Sequence, residues 1–158
     1  MRLLVIDPGK MSGWFCIDFS TLSWVGGEKS HDELLDWLEP QPHAYSSSPL
    51  MLWHLDRVLM EGFKVGPRTY QTNPTDAELW SVKQIGVVEM WCRRLGIPFQ
   101  TQMPSAMKFD ESGAKLKKLG WYRAMDGVTG EAGHRRAAAK HALKWGVDHH
   151  ILDLETLL

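Results

Sequence analysis

At 158 residues, with 44% hydrophobic and 23% charged side chains, the chain is sized for one domain with an ordinary core. No apolar run reaches the roughly 18 residues of a membrane helix; the opening Met1 to Asp7 places an acid where a signal peptide is still apolar, so a cytoplasmic location is expected; and Cys16 and Cys92 are too few and too far apart for a zinc knuckle. The net charge of −1 hides an asymmetry: residues 1–61 hold four Lys/Arg against nine Asp/Glu, whereas residues 108–144 hold nine against four, a pattern that suits an anionic ligand on one part of the surface.

Arg2 to Asp7 is a short branched apolar run closed by Pro8-Gly9, which reads as a buried strand ending in a turn. Gly13 to Phe19 and Leu22 to Gly27 read as two more strands joined by a tight turn at Ser20-Thr21. Ser30 with Glu33 has capping-box spacing and opens a helix faced by Leu34, Leu35 and Leu38, and Pro40 and Pro42 stop it. Arg57 to Glu61 is the fourth strand. Thr75 with Glu78 begins a helix that runs to about Leu95 and ends at Gly96. Ile97 to Thr101 is a fifth strand shortened by Pro98, and the last clear helix spans about Glu131 to Trp145, closing at Gly146. The order of elements predicts an α/β layer fold on a five-stranded mixed sheet, its first three strands antiparallel and the later ones parallel by crossover.

Asp7 and Glu61 both end strands, each near a glycine, and acids so placed face a crevice beyond the carboxyl edge of a sheet. If the first and fourth strands are neighbours, the two carboxylates converge, and a divalent cation would relieve their repulsion. Oxygen ligands of this kind suit Mg²⁺ or Mn²⁺. The plainer alternative is that an Asp before Pro-Gly serves its own turn. His134, in the first turn of the last helix, is the third candidate.

Three blocks taken together, Val5-Ile6-Asp7-Pro8-Gly9 with Ser12-Gly13-Trp14, Leu59-Met60-Glu61-Gly62, and Gly133-His134 leading into Ala138-Ala139-Lys140-His141-Ala142-Leu143, resemble the RuvC-like Holliday-junction resolvases of the RNase H-like superfamily, the phage-encoded branch most of all. The resemblance covers about residues 1–146. It implies an RNase H-like fold, cleavage of four-way and other branched DNA, two Mg²⁺ ions with Mn²⁺ able to substitute, Asp7, Glu61 and His134 as ligands, a homodimer, and no nucleotide cofactor. In that family the last helix carries an acid or His and, three residues on, an Asp. Here that second position is Ala137, so the resemblance implies a missing ligand: either an Asp has been replaced in this chain, or Glu131 or Asp126 serves instead.

DNA would be read through phosphates. Lys10, Lys64, Arg68, Lys115, Lys117, Lys118, Arg123 and Arg135 are the expected contacts, with Phe63 and Tyr70 placed to wedge into or stack on a junction. Two rival functions follow from the same residues: a non-catalytic binder of branched DNA, and an RNA-processing nuclease of the same fold. An actin-like ATPase is disfavoured, because the chain is too short for paired domains.

Overall fold

The computed structural model describes residues 1–38, 54–62, 76–122, 133–153 and 155. The sheet is built from β1 (Arg2–Asp7), β2 (Met11–Asp18), β3 (Ser23–Ser30), β4 (Arg57–Glu61) and β5 (Phe99–Gln102) in the order β3-β2-β1-β4-β5. The β1–β2 and β2–β3 pairs are antiparallel, and β1–β4 and β4–β5 are parallel, as the element order requires. The helices are α1 (His31–Leu38), α2 (Asp76–Leu95), α3 (Ala114–Lys118) and α4 (Gly133–Asp148), with a 3-10 helix at Pro104–Asp110. Among the described residues no helix is long and apolar enough to cross a membrane.

Side chains alternate across a strand, so β1 divides its apolar residues between two faces. Leu3 and Val5, with Phe15, Ile17 and Leu59, pack against Ala138, Ala139, Ala142, Leu143 and Trp145 of α4. Leu4 and Ile6, with Trp14, Cys16, Val58 and Met60, pack against Leu34 and Leu38 of α1 and Val88 and Cys92 of α2. By this parity Asp7 belongs to the α4 face. Both cysteines are free and buried, and burial pushes each thiol up to about 12.

The Ser30–Glu33 box forms: the Ser30 amide donates to the Glu33 carboxylate at 2.8 Å and the Glu33 amide to Ser30 Oγ at 3.4 Å. Gly96, at φ 69°, closes α2. The box expected at Thr75 lies outside the described residues.

Four elements differ in their bounds from expectation, the first being β2, which runs Met11–Asp18 instead of Gly13 to Phe19. β3 continues through Gly26 and Gly27 to Ser30, because those glycines leave room for the rings of Phe15 and Trp14, each 3.2 Å from where a Cβ would stand, and for the Trp14 carbonyl oxygen at 2.8 Å from the Gly26 position. β5 begins at Phe99 and reaches Gln102. Helix α4 passes Gly146, whose small size admits Phe19 and Leu152, and ends where His150 takes φ 56°.

Candidate active site

Strand register assembles the site. Asp7 pairs with Gly13, and Gly13 with Glu28. On the other side Ile6 pairs with Met60, which sets Asp7 beside Glu61, and Glu61 pairs with Gln102. Partners in register point to one face, so Glu28, Gly13, Asp7, Glu61 and Gln102 form a single rung across all five strands, at the carboxyl edge of β1 and β4.

Helix α4 lies along this rung. His134 Nδ1 is 2.9 Å from Asp7 Oδ2. Two turns further, His141 places Nε2 2.8 Å from Glu61 Oε2 and Nδ1 2.7 Å from Gln102 Oε1. Seven residues of helix advance about 10 Å, which is about two strand spacings, so one helix reaches both halves of the rung. The helix comes down directly onto Gly13: a Cβ there would lie 2.0 Å from the His134 carbonyl carbon. A glycine is therefore required by close approach, not by a turn.

Burial raises the Asp7 carboxyl from 3.8 to about 6; the His134 hydrogen bond opposes this, and the neighbouring Glu61 charge adds to it. His134 is half exposed, its side chain 50% accessible, while its ring holds Asp7. The His141 side chain is fully buried between two oxygen-bearing partners, Glu61 and Gln102. An imidazole offers one nitrogen to each partner, so the ring is oriented between the Glu61 carboxylate and the Gln102 side-chain amide.

The turn after Asp7 is held from the other layer. The Gln84 side chain of α2 is fully buried; it accepts from the Gly9 amide at 3.1 Å and donates to the Gly9 carbonyl at 3.1 Å and to Ser12 Oγ at 2.8 Å. Ser81 Oγ adds a bond to the Pro8 carbonyl at 3.1 Å.

The three expected groups, Asp7, Glu61 and His134, are thus brought together. Ala137 lies on the same helical face, between His134 and His141, and is half-buried with no donor to offer. Among the described residues no group of three His, Cys, Asp or Glu side chains is arranged to hold a metal ion. The Asp7 and Glu61 carboxylates suit Mg²⁺, which binds through one or two carboxylates and keeps water or phosphate for its other positions. The remaining carboxylate of the rung, Glu28, is engaged by the His134 and Arg135 amides. Glu131 and Asp126 lie outside the described residues.

The expected DNA contacts divide. Lys10, Lys117 and Lys118 are exposed, Lys10 just beyond the Asp7 turn. Lys115 is half-buried, donating to the Phe109 carbonyl at 3.1 Å. Arg135 is a correction: it is 1% exposed, its guanidinium donates to the carbonyls of Trp121 and Tyr122 at 3.1 and 2.9 Å, and it lies over the Trp24 ring. It anchors the helix and presents nothing to a phosphate. Phe63, Lys64, Arg68, Tyr70 and Arg123 lie outside the described residues.

Sequence reasoning missed Glu28, Gln84 and Gln102 and gave His141 no role. Two of these had a signal: seven-residue spacing puts His141 on the face of His134, and a hairpin turning at 20–21 sets residue 28 opposite 13.

No protein family's sequence profile matches the chain, and neither does any curated protein sequence. Solved structures do. Thermus thermophilus RuvC in complex with a Holliday junction substrate superposes with a TM-score of 0.60 at 17% identity, over 96% of this chain and 96% of that one. The fold is that of RuvC. A second structure of Thermus thermophilus RuvC gives a TM-score of 0.54 at 18% identity, over 94% and 97% of the two chains. The five-stranded mixed sheet expected for a RuvC-like chain is therefore present, with Asp7 and Glu61 at its carboxyl edge.

Proposed function

We propose that this chain is a RuvC-like endonuclease of branched DNA, acting on four-way junctions in the cytoplasm of a bacterium or, for a phage-encoded protein, of its host. The observation that carries the reading is the pairing of β1 with β4, which sets two strand-terminal carboxylates side by side with an imidazole on the first. The shared fold supports this substrate class, since the Thermus protein was solved with such a junction.

Asp7 and Glu61 would hold Mg²⁺, with Mn²⁺ as its substitute; when bound, the ion supplies charge neutralisation at the scissile phosphate and lowers the pKa of a coordinated water. The chain's own residues do the rest. Asp7 fixes the half-exposed His134 ring by its Nδ1, and Nε2 would serve proton transfer. Gln102 and His141 fix the orientation of Glu61. Exposed Lys10, Lys117 and Lys118 offer charge to the backbone of the DNA.

A non-catalytic junction binder is the second reading, favoured by the methyl group of Ala137 where a further acid would face the site. One experiment weighs both. The chain should bind a four-way junction with affinity falling steeply with salt. Ala137→Asp should raise Mg²⁺-dependent cutting at least tenfold, in line with the roughly 10- to 100-fold effects of groups that support a metal. Junction binding without cutting in either form would establish the binder, and no preference for a junction over linear duplex would remove the resolvase reading.

Association is proposed to run along α2. Opposite its buried stripe of Gln84, Val88 and Cys92, the helix exposes Leu79, Val82 and Met90 at 43, 48 and 47% around an unobstructed Gly86. The protein should sediment as a dimer, and Val82→Glu should sediment as a monomer without loss of helical signal. A monomer before substitution would contradict this.

A further inference from the structure

We propose that Glu28 is a positioning residue that sets His134 against Asp7 by capping α4 from across the sheet. This rests on the reading of His134 as part of the site.

The first turn of α4, Gly133-His134-Arg135-Arg136, holds no acid and two arginines. That is the wrong sign for a helix start, where unpaired amides and the macrodipole favour an anion. The anion comes from a residue more than a hundred positions earlier. Glu28 Oε1 accepts from the His134 amide at 3.0 Å and from the Arg135 amide at 3.4 Å. Its charge also supports the buried Arg135 guanidinium, which burial and Arg136 both disfavour.

Glu28 does this from the same rung as Asp7. Gly13 lies between them in register, and the helix start rests on Gly13 without room for a Cβ. His134 is therefore held at its backbone by a carboxylate on one flanking strand and at its ring by a carboxylate on the other, with bare backbone beneath. A cap located elsewhere would stabilise the helix equally but would not fix where its first turn lies relative to Asp7.

The test compares Glu28→Ala and Glu28→Gln, the second keeping an oxygen acceptor for both amides. Two readouts are taken: the His134 ring nitrogen and attached-proton resonances by NMR, with Asp7→Asn to mark signals that depend on that pair, and single-turnover cleavage at saturating four-way junction beside junction affinity. Glu28→Ala should displace the His134 ring signals and slow cleavage about tenfold, the order expected when a supporting hydrogen-bond partner is removed. Junction affinity should stay within about twofold, and Glu28→Gln should return signals and rate toward the unsubstituted protein. Ring signals unmoved in Glu28→Ala, or moved and not restored by Gln, would overturn the proposal. If no form cuts DNA while the signals move and are restored, the positioning role stands and the nuclease reading falls. Should Glu28→Ala lose its native spectrum, Glu28→Asp, which keeps the charge but shortens the reach, takes its place with the same expected displacement.

Discussion

Replacing Asp7 with Asn is expected to depress cutting severely and, in metal-free buffer above pH 7, to make the fold more stable. The carboxyl is raised from 3.8 to about 6, chiefly by burial. Folding therefore favours the protonated form: the stabilising contribution is present in full below about 4 and is lost as the pH climbs through 6. By pH 8 the ionised group costs the fold about 3 kcal/mol relative to its neutral form. Asparagine carries no charge and keeps an oxygen for His134, so urea unfolding at pH 8 should show a gain of about 1–3 kcal/mol, shrinking toward zero near pH 4. Cutting should fall by about 10³-fold, the scale on which a group that stabilises transition-state charge is missed. Mg²⁺ should raise the Tm of the unsubstituted chain and leave that of the variant in place, because only the former has a carboxylate pair to bind it. A variant less stable at pH 8 would contradict the account of burial.

Gly13→Ala is the second large effect, and it runs the other way. The new Cβ would stand 2.0 and 2.1 Å from the carbonyl carbon and oxygen of His134 and 2.4 Å from the Arg135 nitrogen. All three are backbone atoms of a helix start held by Glu28 and by the Arg135 anchor, so no side chain can swing aside. Overpacking of this kind costs about 3 kcal/mol or more, lowering Tm by roughly 10 °C in a chain of this size. The helix must lift, which separates His134 from Asp7, so cutting should be lost along with stability. Gly133→Ala, one residue from His134 but in open space, should change stability by only about 0.5 kcal/mol. Equal effects at both positions would show that the close approach is not what matters.

Much of the framework was legible because its signals are local. The branched run ending in Asp7-Pro8-Gly9, the Ser30–Glu33 box and the φ-positive Gly96 each express a preference of a few neighbouring residues, and each appears where expected. The pairing of Asp7 with Glu61 needed only that β1 and β4 be neighbours. What escaped notice depended on distant partners. Gly26-Gly27 resembles a break in a strand until the rings of Phe15 and Trp14 are seen to need that space, and stopping there hid Glu28. Ending β5 at Thr101 hid Gln102 in the same way. Arg135, in a helical first turn beside Arg136, has the local pattern of a surface charge; only the packed helix shows the two carbonyls and the indole that bury it.

That the polar groups share one rung ties chemistry to strand alignment. A slip of one residue in any pairing would turn that strand's contribution through to the opposite layer, among Leu4, Ile6 and Met60, where an unpaired carboxylate is strongly disfavoured. A slip between β1 and β4 in particular would separate the two carboxylates. On the proposed reading, a copy with β1 and β4 out of register would lose its carboxylate pair and with it the capacity to cut.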